Sequence, residues 1–182
     1  MIARGAAMFA ALSLGLAMAA GPVQSAKATE RTAVWTEVKW PFLMDEWGAG
    51  RAFLCKAADC GSDATLYLRV KAGFCNCAVG VTDDDDLDRV ADLKLLSDAF
   101  VGLADGRPIS VEDMNGRSRP YRVALPLWRS QTAVAMVLHA KCDAVVATIV
   151  ADRDRLAAAE QDALLFLNHG PVLQWAKVTL GY

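Results

Sequence analysis

Two apolar runs decide the architecture: Gln131-Thr132-Ala133-Val134-Ala135-Met136-Val137-Leu138-His139 and Ala144-Val145-Val146-Ala147-Thr148-Ile149-Val150. Between them sits a tip that carries Lys141-Cys142-Asp143. Each run has the length of a strand, and neither alternates with charged side chains. A strand with one wet face alternates, whereas a nearly continuous apolar run is buried on both faces. The pair therefore predicts a hairpin at the centre of an antiparallel sheet.

On the N-terminal side, Leu66, Leu68, Val70 and Ala72 alternate with Tyr67, Arg69 and Lys71, which reads as a half-buried strand with a charged outer face. After Gly73 the apolar set changes parity to Cys75, Cys77, Val79 and Val81, so a bulge is expected at the glycine. Thr82 and the run Asp83-Asp84-Asp85-Asp86-Leu87-Asp88 then lead into Leu87, Val90, Ala91 and Leu95, a helical stripe. Carboxylates at a helix start cap free amides and meet the positive end of the dipole, which accounts for the acid run. A calcium loop is the alternative, but the interleaved glycine and distal glutamate of an EF-hand are missing.

Residues 109–114 read as a strand, Asn115-Gly116 as a hairpin turn and residues 118–125 as the return strand. A helix is expected over residues 154–168, stopped by Gly170 and Pro171, with a short closing strand over residues 173–180. Residues 34–40 and 51–56 form a further hairpin, broken by Pro41 and a turn that carries Trp47. Trp47 is expected to fold onto a neighbouring strand, with ligand contact as the other reading. The fold class is α+β: an antiparallel sheet covered by two helices, disulfide-stabilised, in a single domain over residues 29–182.

The first 28 residues have another role. Met1-Ile2-Ala3-Arg4 followed by an Ala- and Leu-rich run to Ala20 is the charged and apolar pattern of a secretory signal peptide. Cleavage after Ala19, Ser25 or Ala28 each satisfies the small-residue requirement, and the run is too short for a membrane span. Cleavage after Ala28 removes Arg4 and Lys27 and no acid, taking the formal charge from −2 to −4. That charge argues against nucleic acid as a partner, and no membrane insertion of the mature chain is expected. The expected location is the periplasm or the exterior, where disulfides persist.

Five cysteines leave one over after two bridges. Cys55 and Cys60 close a short loop and are readily bridged. Cys75 and Cys77 point the same way on a strand, about 7 Å apart, so one of them is expected to bond Cys142 instead. The alternative is a thiol-redox or metal-handling factor using Cys75, Cys77 and Cys142, with Cys75, Cys77 and His139 as candidate metal ligands. Arg117, Arg119 and Arg122, close in sequence to Arg107 and Arg129, are candidates for contact with an anion or a partner. The chain has no G-x-S-x-G, no HExxH and no phosphate-binding glycine loop, so no catalytic residue and no cofactor is assigned.

Val38-Lys39-Trp40-Pro41 near the start, Asn115-Gly116-Arg117 before a strand and a terminal helix ending Phe166-Leu167-Asn168 fall in an order of elements that resembles that of PsbP-like proteins. The resemblance implies an antiparallel sheet covered by helices and a non-catalytic accessory role, and it transfers no functional residue. The expected function is thus an exported accessory or binding protein for an unknown protein or small ligand.

Overall fold

The computed structural model describes residues 33–73, 77, 79–124 and 130–182. The expected leader, Cys75 and Arg129 lie outside the described residues. In chain order the elements are β1 (Trp35–Val38), β2 (Arg51–Cys55), α1 (Ala57–Cys60), β3 (Ala64–Lys71), α2 (Asp84–Val90) and α3 (Leu93–Leu96). They continue with β4 (Phe100–Gly102), β5 (Arg107–Val111), β6 (Met114–Ala124), β7 (Ser130–Ala140), β8 (Asp143–Ala151), α4 (Leu156–His169) and α5 (Pro171–Leu180).

All eight strands belong to one antiparallel sheet with the order β1-β2-β3-β8-β7-β6-β4, and β5 pairs β6 beside β4. β7 and β8 lie at its centre, as their unbroken apolar runs require, and join through a turn in which Lys141 takes φ 53°. Side chains alternate between two cores. Val134, Met136 and Leu138 of β7, with Val145, Ala147 and Ile149 of β8, face Leu156, Ala163 and Leu167 of α4 and Leu173 of α5. On the other face Ala133, Ala135, Val137, Ala144 and Val146 meet Leu87, Val90 and Leu93 of α2 and α3. The small alanines there admit a close helix. Fully burying a side chain such as Leu68, Leu138 or Ile149 contributes roughly 1.5–3 kcal/mol each.

The sheet is therefore covered on both faces, and the described residues contain five helices where two were expected. The helix expected after the aspartates is broken at Ala91-Asp92 into α2 and α3. β3 ends at Lys71, and Gly73, at φ 68°, sits in the turn that terminates it; most of the bulged stretch expected after the glycine lies outside the described residues.

Asn115-Gly116 is not a turn. The β5–β6 hairpin turns three residues earlier at Glu112-Asp113, with Glu112 at φ 50° and Val111 opposite Met114. The glycine serves a different need, because a Cβ on Gly116 would lie 1.9 Å from the Val137 carbonyl oxygen on β7. Of the stretches that carry the PsbP-like resemblance, Asn115-Gly116-Arg117 thus lies inside β6 instead of before a strand.

The last segment is a helix, α5, and not a strand. Gly170 is extended (φ −109°) and Pro171 opens α5, because its fixed φ and missing N–H suit the first helical turn. α5 lies over β3, and Tyr182 just beyond it donates from Oη to the Ala140 carbonyl at 2.8 Å, clasping the β7–β8 tip. No helix among the described residues is long and apolar enough to cross a membrane.

A Gly116→Ala variant is expected to lose roughly 1–3 kcal/mol of stability in urea denaturation through this close strand approach. Replacing Glu112 by Gly relieves its positive φ but removes the ion pair with Lys177, so the net change should stay within about 1 kcal/mol.

Candidate functional site

Four groups of polar side chains hold or expose chemistry, and the strand register sets each of them. Arg69 and Lys71 project from β3 toward the α2–α3 face, where alternation alone had placed them in solvent. They are buried because the end of α2 and the start of α3 close over them. Arg69, 3% exposed, binds both oxygens of Asp92, itself 6% exposed, at 2.9 and 2.5 Å. Its other Nη reaches Asp45 at 2.7 Å, and Lys71 Nζ donates to the Val90 carbonyl at 2.7 Å and meets Asp92 at 2.8 Å. Burial acts to lower the Arg69 pKa, but the bonds from Asp92 and Asp45 outweigh it and hold the guanidinium above its ordinary value. Arg69 in turn holds Asp45 below the usual carboxylate range. Trp47, half-buried, lies beside this network with Lys71 Nζ 5.9 Å from its ring.

The acid run and the arginine cluster, read separately in the sequence, meet each other. Asp83 caps α2 by accepting from the Asp86 N–H at 2.8 Å. Asp84 takes the Gly106 N–H at 3.0 Å and Arg117 Nε at 2.6 Å; these two contacts, the backbone one foremost, lower its pKa. Asp88 receives Arg119 at 3.2 Å and the hydroxyl of Tyr121. Burial first, and then that bond, push the Tyr121 phenol far up. Arg117 and Arg119 therefore clamp α2 onto β6 and are occupied. Arg122, three positions beyond Arg119 and so on the other face of β6, has no ion pair among the described residues.

Two disulfides are formed: Cys55 to Cys60 across α1, and Cys77 to Cys142, which ties the segment after β3 to the β7–β8 turn. With their loop lengths, the chain-entropy model assigns about 2 kcal/mol to the first and about 4 kcal/mol to the second. Cys77, one of the candidate metal ligands, spends its sulfur on Cys142. His139 packs its ring against Gly80, and no cluster of three or more His, Cys, Asp or Glu suited to a metal occurs among the described residues. His169 closes α4, its Nδ1 3.0 Å from the Leu165 carbonyl oxygen.

The remaining group lines a groove of about 400 Å³ between the start of α4 and the β4–β5 end of the sheet. Pro120, Val134 and Leu156 contribute apolar lining; Asp105, Arg107, Ser118, Arg153 and Glu160 supply polar groups. Glu160 is buried and satisfied, accepting from Ser118 Oγ and from Arg107 at 2.8 Å. Neither histidine lines the groove, so Ser118 has no imidazole beside it to act as its base. Arg153 has no ion pair among the described residues and also lines a smaller adjoining cavity of about 190 Å³ with Arg122 and Asp152. α4 starts there without a side-chain cap or an acid in its first turn. Sequence reasoning missed this groove entirely. Its signal is a serine and a proline at alternate positions of β6 facing a glutamate on the inner stripe of α4.

Fold and groove together define an α+β arrangement with an antiparallel sheet between helical layers and a lined recess at the start of α4. No family model matches the chain, and no curated protein is significantly similar to it in sequence.

Breaking the buried network gives the largest single loss expected here. Arg69→Met should cost roughly 3–5 kcal/mol in chemical denaturation at neutral pH, because Asp92 stays buried with only Lys71 for a partner. The lowered pKa values of Asp84 and Asp45 fix the sign of a pH effect. Their contribution is complete above the unfolded value of about 3.9 and is lost as pH falls through the folded values, so stability should decline below about pH 4. Thermal melts over that range should show a shallower decline in Asp84→Asn.

Proposed function

We propose that the chain is an exported, periplasmic or secreted accessory protein: a single disulfide-stapled domain over residues 29–182 that binds a small ligand or protein without catalysing a reaction. The observation that carries this reading is the groove at the start of α4. It combines an apolar lining with a carboxylate, Glu160, already engaged by Arg107 and by the Ser118 hydroxyl. The residues that look chemical in the sequence support it too, since Asp84, Asp88, Arg117, Arg119 and four cysteines are engaged in holding elements together. The disulfides suit an oxidising compartment. The PsbP-like resemblance implies the same accessory role.

A second reading, thiol exchange, is favoured by one observation. Cys77, on the exposed surface, is bridged to Cys142 while a fifth cysteine follows Gly73 in the same short segment.

Two measurements test these readings. Thiol counting on the protein recovered from the periplasm should find one free thiol and an N-terminus after residue 19, 25 or 28. A Cys77–Cys142 bridge that equilibrates with glutathione at cellular potentials would favour exchange instead. In a small-molecule thermal-shift screen, compounds that raise the melting temperature of the native protein should lose that effect in Ala157→Trp, which fills the groove mouth from the exposed side of α4. Binders unaffected by that change would place the site elsewhere.

A further inference from the structure

The groove at the start of α4 and the smaller cavity beside it share Leu103 and Arg153 in their linings, and the strand register joins them into one recess. Ser118, Pro120 and Arg122 stand at alternate positions of β6 and so on one face. Pro120 pairs with Val134 of β7, and both line the groove; Arg122 pairs with Thr132, and both line the smaller cavity. The recess therefore changes from apolar to polar over one step of that row.

The charges are distributed along the recess as well. In the groove, Glu160 is engaged by Arg107 and Ser118, which leaves Asp105 as the carboxylate there without an ion pair among the described residues. The smaller cavity holds Arg122, Arg153 and Asp152, and none of the three has an ion pair among the described residues. All three are exposed, so they stay charged and hydrated until something displaces their water. Leu156 and Ala157, which open α4, line the groove next to Arg153. That helix starts with no acid in its first turn, and its positive end adds to the two guanidiniums.

We infer that the recess takes a zwitterionic α-amino acid with an apolar side chain, an inference that rests on the reading of the groove as a ligand site. Arg122 and Arg153 match its carboxylate, because a guanidinium presents paired N–H donors to carboxylate oxygens. Asp152 matches the ammonium group that an α-amino acid carries beside that carboxylate. The side chain then extends along Pro120, Val134 and Leu156, in a space of about 400 Å³ that lies in the range of small-molecule sites. Two competitors are disfavoured by like charge. An acid without the amine leaves its carboxylate facing Asp152 uncompensated, and an acidic side chain meets Asp105 in the groove.

Isothermal titration calorimetry of the native protein with L-leucine, isocaproate and L-leucinamide tests this, since isocaproate lacks the ammonium and leucinamide the carboxylate. L-Leucine should bind at least about tenfold more tightly than either. Asp152→Asn should erase the preference over isocaproate, and Arg153→Gln the preference over leucinamide, each with an unchanged melting temperature of the unliganded protein. A merely structural role for these side chains would not move the two ratios separately. Isocaproate bound as tightly as leucine overturns the inference, as does a leucine preference that either substitution leaves intact. A native protein that binds no leucine also overturns it, and Ala157→Trp then decides the fate of the groove. Other compounds that bind the native protein and lose their binding in that variant keep the groove as a site for a different ligand; binding indifferent to the variant removes both.

Discussion

A guanidinium sealed under a pair of short helices stays charged only if its acids are sealed in with it. Arg69 meets this condition by taking Asp92 from the α2–α3 junction and Asp45 from the β1–β2 loop, and Lys71 adds a bond to the carbonyl that ends α2. The pairing fixes where the α2–α3 segment lies. It also binds that segment and the β1–β2 loop to the same strand. With the segment in place, Val137 and Val146 lose their access to water, which gives β7 and β8 two buried faces. The salt links of Asp84 and Asp88 to β6 set the same segment from its other end. The second core is thus held by charge at its rim and by small apolar side chains inside it.

The sheet's centre was legible because burial on both faces leaves an unmistakable pattern in β7 and β8, and the stripe of α4 was equally plain. Arg69 and Lys71 were misread for a physical reason. Alternation reports which side chains share a face, and is silent on whether a distant segment covers that face. Asn115-Gly116 misled because one residue type serves two needs, left-handed turns and close backbone approach, and only the position of Val137 decides between them. α5 is hidden in the sequence because a proline after a glycine reads equally as the stop of one helix and the first residue of the next, and Pro171 is the latter. The groove could not be read at all. Leu103, Pro120, Val134 and Glu160 come from four separate segments with no local motif among them.

The acid run illustrates a middle case. Its assignment to a helix start needed only local reasoning, and Asp83 does cap α2. That Arg117 and Arg119 would be the counter-charges is a statement about packing between residues more than 25 positions apart. Each feature taken alone also admitted a ligand, a cation for the acids and an anion for the arginines. Brought together, they neutralise each other, and the residual positive charge moves to Arg122 and Arg153.

The pairing of β3 with β8 has a bearing on how the chain reaches this state. Lys71 opposes Ala144 and Thr65 opposes Val150, so the middle of the sheet forms only after a loop of more than 70 residues has closed. Such non-local pairings make folding slow, since the entropy of closure is lost before the contacts repay it. The Cys77–Cys142 bridge spans almost the same interval and lies just beyond the Lys71–Ala144 end of that ladder. A chain oxidised early would begin its search with the largest loop already closed, and the slowest step in building the sheet would become a local one.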